Sequence, residues 1–195
     1  MIENPVGPQI PSILGSISRQ LNNHNVPYAL IGAMALSIYG LSRYTSDIDL
    51  MCDAASWPTI SQGMSTIGFE CFQKADAFAQ FDAEGGILGR IDIMLIETDE
   101  GRAMLDRRVV VADELLGSQP VAQPTDFLIL KLMSMANNAQ REPADRADIS
   151  AIFRLNDAGM IPRLFEPLDI NRLTQFAERF GQRAVLDDCL RRQKP

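Results

Sequence analysis

The chain has 195 residues, of which 46% are hydrophobic and 22% charged, and this composition fits one globular domain or slightly more. It excludes the collagen-like and disordered classes. The longest uncharged stretch, residues 20–42, contains Asn, His, Pro and Gly and is a poor membrane span, and the N-terminus lacks the basic start and apolar centre of a signal peptide. We therefore expect a cytoplasmic protein with no membrane partner.

Cysteine, histidine and charge exclude further classes of chemistry. Three cysteines without C-x-x-C spacing indicate reduced thiols, and the single histidine, His24, excludes a His-based zinc cluster. The net charge of −7 argues against a general nucleic-acid coat protein. Residues 1–100 hold four basic and twelve acidic residues, whereas residues 101–195 hold fourteen and thirteen. An acidic half could hold metal ions and the other half phosphates, or the asymmetry is solvated surface charge.

The N-terminal third predicts a helix, a strand and a second helix. Apolar residues recur every three or four positions up to Asn23, which predicts an amphipathic helix. Residues 28–31 form a short apolar run between a proline and a glycine, typical of a buried strand. Residues 33–39 then predict a helix closed by Gly40.

The rest of the chain predicts further strands and then only helices. Strands are predicted over 47–51, 69–72, 78–81, 89–96 and 109–111, with a helix over 58–67 and a hairpin turn at Glu84-Gly85-Gly86. From Pro124 a Leu- and Met-rich run is too long for a strand, Pro143 opens another helix, and two or three more follow. The predicted class is α+β: a mixed sheet flanked by helices in residues 1–120, then a helical bundle in residues 121–195.

Three aspartates lie on two of the predicted strands. Asp47 and Asp49 are two apart, so both leave the same face of one strand. Asp92 lies in a strand that is otherwise nearly all apolar, where an unpartnered carboxylate would be costly. If the strands are neighbours, the three acids meet and suit one or two Mg²⁺ ions, which points to phosphoryl or nucleotidyl transfer. The alternative is that the pair lines a solvated edge and Asp92 ends a strand.

A glycine turn precedes the acidic pair. Gly32 ends one predicted strand and begins a helix, so backbone N–H groups and the positive helix end are available to a triphosphate. The alternative is a tight turn that packs Ala33 and Ala35 against the sheet. Arg43 precedes the acidic strand and could meet a phosphate or pair with Asp47.

One of only three lysines lies in the predicted helix that follows Pro124. Lys131 shares a helix face with apolar residues, so its stem is expected to be half buried, or else its ammonium extends into solvent. Asp145 and Asp148 are three apart on the next helix and share a face. Alternatively, Asp145 lies near the start of that helix only because a negative charge there interacts favourably with the helix dipole.

The order YALIGAMALSIYG, RYTSDIDL and RIDIML resembles the nucleotidyltransferase fold superfamily over residues 25–155. The R-x-T-x-D-I-D-L form, with a Lys-bearing helix and a D-x-x-D-I helix behind it, looks like the branch that contains the AbiEii-type abortive-infection toxins. The resemblance implies a Mg²⁺-dependent transfer from an NTP to a tRNA 3′ end or a protein hydroxyl, with a cognate antitoxin as partner. Ala33 stands where many members carry Ser, which removes a hydroxyl contact to the nucleotide phosphate.

The same resemblance implies roles for individual residues. Asp47 and Asp49 would bind metal, and Asp92 would assist the metal or activate the acceptor. The nucleotide would contact Gly32, Ala33, Arg43, Ser46, Lys131 and Asp148. Two other functions stay open: nucleotidyl transfer to a small molecule such as an aminoglycoside, favoured by the acidic half, and a non-catalytic binding module, favoured by Ala33.

Overall fold

The structure is a computed structural model and describes residues 10–41, 45–83 and 89–191. These residues form two compact units. The first comprises 10–35 and 45–122, and the second comprises 36–41 and 123–191. The predicted hairpin turn at residues 84–86 and the predicted site residue Arg43 lie outside the described residues.

Eight α-helices and seven β-strands are formed by the residues that the structure describes. The helices are α1 (Ile10–Asn23), α2 (Gly32–Tyr39), α3 (Trp57–Thr66), α4 (Asp99–Asp106), α5 (Pro124–Asn137), α6 (Glu142–Asp157), α7 (Ile170–Arg179) and α8 (Arg183–Arg191). The strands are β1 (Tyr28–Leu30), β2 (Asp47–Asp53), β3 (Phe69–Lys74), β4 (Phe78–Ala83), β5 (Arg90–Ile96), β6 (Val109–Asp113) and β7 (Gly117–Val121). The predicted α+β class is confirmed.

The first unit is built on one mixed sheet of seven strands in the order β3, β4, β5, β2, β1, β7, β6. β2 runs parallel to β5 and antiparallel to β1, while β1 runs parallel to β7. Helix α1 buries the apolar stripe that its spacing predicted, including Leu14, Ile17 and Leu21. Burial alternates along β4, along β5 up to Leu95 and along β2 up to Leu50, so one face of these strands belongs to the core, whereas β1 is buried throughout.

Two elements of this unit, α4 and β7, were not predicted from the sequence. Helix α4 is only eight residues long and largely polar, and it is set by its N-cap, where the Thr98 hydroxyl accepts the Gly101 N–H at 3.1 Å. Strand β7 contains Pro120 and lies at the predicted boundary between residues 1–120 and 121–195, where no strand was predicted. It pairs antiparallel with β6 along its whole length and parallel with β1 at Leu30 and Val121.

The second unit is helical. Helix α5 packs on α6 and α7, and α8 packs on α6 and α7. Tyr39, at the end of α2, makes edge-on ring contacts with Phe127 and Phe165 at centroid distances of 5.7 and 5.1 Å. Asp126 in the first turn of α5 is buried and pairs with Arg172 of α7. In the part of the chain that the structure describes, no helix has the length and apolar character needed to cross a membrane.

Candidate active site

The acidic pair lies on β2 as its spacing predicts. Ile48 and Leu50 are buried in the core, so the carboxylates of Asp47 and Asp49 project from the opposite, partly exposed face of the strand. Thr45 fixes the start of the strand, because its hydroxyl donates to the Asp47 carbonyl at 3.0 Å and accepts the Asp47 N–H at 3.1 Å. The two carboxylates are therefore held on one side of a rigid central strand.

The third acid stands beside the second. Strands β2 and β5 are parallel neighbours, and their register places Asp49 opposite Asp92 and Asp47 opposite Arg90. Ile91 and Ile93 of β5 are buried, so Asp92 leaves the same face as the β2 acids. The condition under which the three aspartates can meet, that their strands are neighbours, is fulfilled.

The glycine turn lies directly against the acids. Gly32 has a φ of +62°, a left-handed conformation that favours glycine, and it begins α2. A Cβ atom at this position would overlap the carboxylate of Asp49. The neighbouring Ile31 N–H donates to the Asp49 carbonyl at 3.1 Å. The helix start and the second acid thus approach each other at a point where only glycine fits.

The remaining predicted contacts of the first unit are placed as follows. Ala33 is buried at 5% exposure. Ser46 is exposed, and its hydroxyl donates to Asp47 Oδ1 at 3.1 Å, which gives it a partner within the acidic pair. Their contact with a nucleotide stays a prediction.

Sequence reasoning missed Gln80, which lies on β4 directly opposite Asp92. Its amide Nε2 donates to Asp92 Oδ1 at 2.9 Å. The available signal was the alternation of FAQFDA, in which Ala79, Phe81 and Ala83 are buried and Gln80 leaves the opposite face. Gln80 fixes one oxygen of Asp92.

We call the side of the sheet from which Asp47, Asp49 and Asp92 project the acidic face. The carboxylate oxygens on this face are the kind of ligand that Mg²⁺ prefers. Among the described residues, no three His, Cys, Asp or Glu side chains converge as a preformed metal cage. Mg²⁺ is usually held by one or two carboxylates together with substrate phosphates and water, rather than by a cage of protein ligands. Asp47 and Asp49, on one face beside the start of α2, fit that mode of binding.

Lys131 and its acidic partners lie in the second unit. The ammonium Nζ is 2.8 Å from Asp145 Oδ1 and 2.7 Å from Asp148 Oδ2. The side chain of Lys131 is only 12% exposed and that of Asp145 is fully buried, so the ammonium does not end in solvent. Arg141 also approaches Asp145, at 3.4 Å. Asp145 is therefore a buried counter-ion, and the contact of Lys131 and Asp148 with phosphates stays a prediction.

Comparison with known proteins gives a fold. No protein-family model and no curated protein sequence matches the chain. The solution structure of the antibiotic-resistance factor ANT(2″)-Ia is similar over 94% of this chain and 97% of its own, with 12% identity and a TM-score of 0.63. Its crystal structure with adenylyl-2″-tobramycin is similar over 89% and 98%, with 12% identity and a TM-score of 0.61.

A third similar structure is an antigenic nucleotidyltransferase-like protein from Paracoccidioides brasiliensis. The similarity covers 94% of this chain and 92% of that one, with 16% identity and a TM-score of 0.54. The chain therefore has the fold of the nucleotidyltransferases, with helices flanking a mixed sheet.

Proposed function

We propose that this protein is a Mg²⁺-dependent nucleotidyltransferase that moves a nucleoside monophosphate from an NTP to an acceptor hydroxyl. The observation that carries the proposal is the approach of Gly32, at the start of α2, to Asp49, which stands in register with Asp92. The substrate is an NTP with its bound Mg²⁺. The start of a helix binds the phosphates of the NTP, and paired carboxylates bind the Mg²⁺.

Each group has a defined task in the reaction. The N–H groups at the start of α2 orient the triphosphate. Asp47 and Asp49 would hold Mg²⁺, which supplies charge neutralisation for the leaving pyrophosphate and acidifies the attacking hydroxyl. Because both carboxylates stand on one strand, a metal ion that they held would have a defined place beside the α-phosphate, and such positioning is a large part of catalysis in phosphoryl transfer.

Asp92 takes the acceptor proton. The bond between the acceptor oxygen and the α-phosphorus forms, the bond from that phosphorus to the β-phosphate oxygen breaks, and pyrophosphate leaves. Gln80 donates to Asp92 Oδ1 and so orients the carboxylate that receives the proton. Asp92 thereby serves as general base beside the metal-binding pair.

The acceptor we propose is a hydroxyl of a tRNA 3′ end or of a protein, with an antitoxin as the regulating partner. The support is the likeness of the R-x-T-x-D-I-D-L segment and the Lys-bearing helix to the AbiEii-type branch. Transfer to a small molecule is an outcome that the experiment below distinguishes.

The test follows label from each α-³²P-labelled NTP, with Mg²⁺, into total tRNA, into protein and into an aminoglycoside mixture. We expect incorporation into tRNA or protein by the parent chain and a loss of at least about a hundredfold in Asp49→Asn. Asp76→Asn is the matched control, since Asp76 is an exposed acid of the same unit in the connection between β3 and β4. Equal transfer by Asp49→Asn and the parent would contradict the proposed function.

A further inference from the structure

The face of the sheet that bears the three acids extends outward across β4 to the edge strand β3. Gln80 of β4 lies opposite Asp92, and Asp82 lies opposite Glu70 of β3. Residues directly opposite one another in antiparallel strands share a face, so these side chains continue the acidic face toward the edge of the sheet. Most of the β3 residues are exposed. A polar surface therefore runs from the proposed reaction centre to β3.

An aromatic ring is added to this surface by an irregularity in β3. The register between β3 and β4 shifts between Cys71 and Gln73, which leaves Phe72 as the extra residue of a β-bulge. Phe72 is 53% exposed, and the guanidinium carbon of Arg90 lies 5.6 Å from the centre of its ring. The side chain of Arg90 projects from the acidic face, because Arg90 is two residues before Asp92 on β5. Since Phe72 contacts Arg90, the bulge turns the Phe72 ring toward that face.

Arg90 connects the ring to the proposed reaction centre. It is exposed and stands in register with Asp47 on the neighbouring strand. A flat guanidinium over an exposed ring offers two planar surfaces to a third planar group. Nucleobases of single-stranded nucleic acids bind protein in this way, by stacking on aromatic rings and Arg planes.

The charge of the surface favours contact through bases over contact through phosphates. Glu70 and Asp82 lie on the same face as Arg90, and carboxylates repel a phosphate backbone. Carboxylates accept hydrogen bonds from the amino groups of bases, and the exposed amide of Gln73, opposite Gln80, can both donate and accept. The geometry selects a short unpaired end whose bases are splayed out, rather than a helix held along its backbone.

We infer that Phe72 and Arg90 form the acceptor platform of this enzyme, and that the platform stacks the unpaired 3′-terminal bases of an RNA so that the end hydroxyl lies at Asp92. The inference rests on the proposed function for its chemistry, while the binding itself can be measured without any transfer.

The first experiment measures binding of a 5′-fluorescein single-stranded RNA heptamer to the full chain by anisotropy, without NTP. We expect Phe72→Ala to weaken binding by about five- to a hundredfold, the range of one base stack, and Phe72→Trp to bind within about threefold of the parent. Arg90→Lys keeps the charge and loses the plane, so it should bind about fivefold more weakly. Leu115→Ala, which truncates an apolar side chain 79% exposed elsewhere on the unit, is the control and should bind like the parent.

Two further comparisons separate this platform from other modes of binding. The same RNA with its 3′ end base-paired in a blunt duplex should bind at least about tenfold more weakly, because its terminal bases are already stacked. The logarithm of the affinity should fall with the logarithm of salt concentration with a slope of about one or less, since each phosphate contact on a single strand adds about 0.7. A steep salt slope, or equal affinity of Phe72→Ala and the parent, would overturn the inference.

Transfer assays then distinguish the platform from the proposed function. In labelled-NTP assays, Phe72→Ala should raise KM for the RNA acceptor and leave KM for the NTP unchanged. Phe72-dependent RNA binding without Asp49-dependent transfer would support the platform and contradict the proposed function. Asp49-dependent transfer to an aminoglycoside, with no RNA bound, would support the chemistry and overturn the platform.

Discussion

Gly32 lies so close to the Asp49 carboxylate that a side chain at residue 32 would occupy the same space. The contact joins the start of α2 to β2, and Ile31 adds a hydrogen bond from its N–H to the Asp49 carbonyl. In the proposed reaction, Gly32 at the start of α2 orients the phosphates and Asp49 holds their metal. Their separation therefore determines where the triphosphate lies relative to its metal.

We predict that Gly32→Ala abolishes transfer while the chain still folds. The added methyl must displace the Asp49 carboxylate, and the left-handed φ of +62° costs about 1 kcal/mol for any other residue. Gly68→Ala is the control, because Gly68 has a φ of +86° and nothing within 4 Å of an added Cβ. Gly68→Ala should lose only the stability that the left-handed φ costs, Gly32→Ala should lose more because of the overlap with Asp49, and only Gly32→Ala should lose activity. Full activity in Gly32→Ala would show that this contact is not part of the site.

Gln80 is predicted to act as a positioning residue for Asp92. Gln80→Leu removes the donor to Asp92 Oδ1 at similar side-chain length and should lower kcat by about tenfold with KM for NTP unchanged. Gln80→Glu places a second carboxylate beside Asp92 and should lower kcat further. Gln62→Leu is the control, since Gln62 is exposed on α3 of the same unit. If kcat is the same in Gln80→Leu and the parent, the hydrogen bond has no role in the reaction.

The acidic face was predictable from sequence because its information is local. The alternation of Asp47 and Asp49 with buried residues defines a strand and a face within a few positions, and Gly32 is a conformational signal of its own. That Asp49 and Asp92 can meet required only that their strands be neighbours, and the structure pairs β2 with β5 and adds the register.

Gln80 and Arg90 were not predictable in the same way, because their roles depend on contacts across strands. The hydrogen bond from Gln80 requires the register of β4 on β5, and the contact of Arg90 with Phe72 requires a bulge in β3 as well. Asp145 shows the same limit on a helix. The sequence left open whether Asp145 shares a face with Asp148 or serves the start of its helix, and packing of α6 on α5 buries it against Lys131.

Asp53 is predicted to stabilise the end of β2 in a pH-dependent way. Its carboxylate accepts the Ala55 N–H at 2.9 Å and the Arg102 Nε–H at 2.9 Å, and these contacts hold the pKa of Asp53 below its ordinary 3.8. A lowered folded-state pKa gives stability that is present above 3.8 and is lost as the pH falls through the folded-state value. Urea unfolding should therefore show Asp53→Asn to be less stable than the parent at pH 7 and equally stable near the acid limit.

The cap that Asp53 provides can be separated from its charge. Asp53→Ala loses the hydrogen bond to Ala55 as well and should cost about 1 kcal/mol at pH 7, beyond the effect of Asp53→Asn, whose side-chain oxygen can still cap. If the stability difference between Asp53→Asn and the parent is the same at pH 3 and pH 7, the carboxylate charge is not the cause.

Lys131 is predicted to stabilise the helical unit. Its ammonium bridges Asp145 and Asp148, so Lys131→Met leaves two largely buried carboxylates with less compensation and should cost about 3 kcal/mol in urea unfolding. Lys131→Met combined with Asp148→Asn removes one of those charges and should recover part of the loss. No recovery in the double variant would show that the cost of Lys131→Met comes from lost packing rather than from the unpaired charge.

The predicted phosphate contact of Lys131 is a separate question, and the ion pairs make it measurable. Asp145→Asn keeps Lys131 but weakens the same ion pair. It therefore controls for the loss of stability of the helical unit that comes from breaking this pair. If Lys131 binds phosphates, calorimetry with NTP and Mg²⁺ should show a loss of about tenfold or more in affinity for Lys131→Met and a smaller change for Asp145→Asn, because a charge-assisted contact to phosphate is worth more than about 1.5 kcal/mol. Equal NTP affinity in Lys131→Met and the parent, at a temperature where both are folded, would leave Lys131 as a structural counter-ion of Asp145 and Asp148 alone.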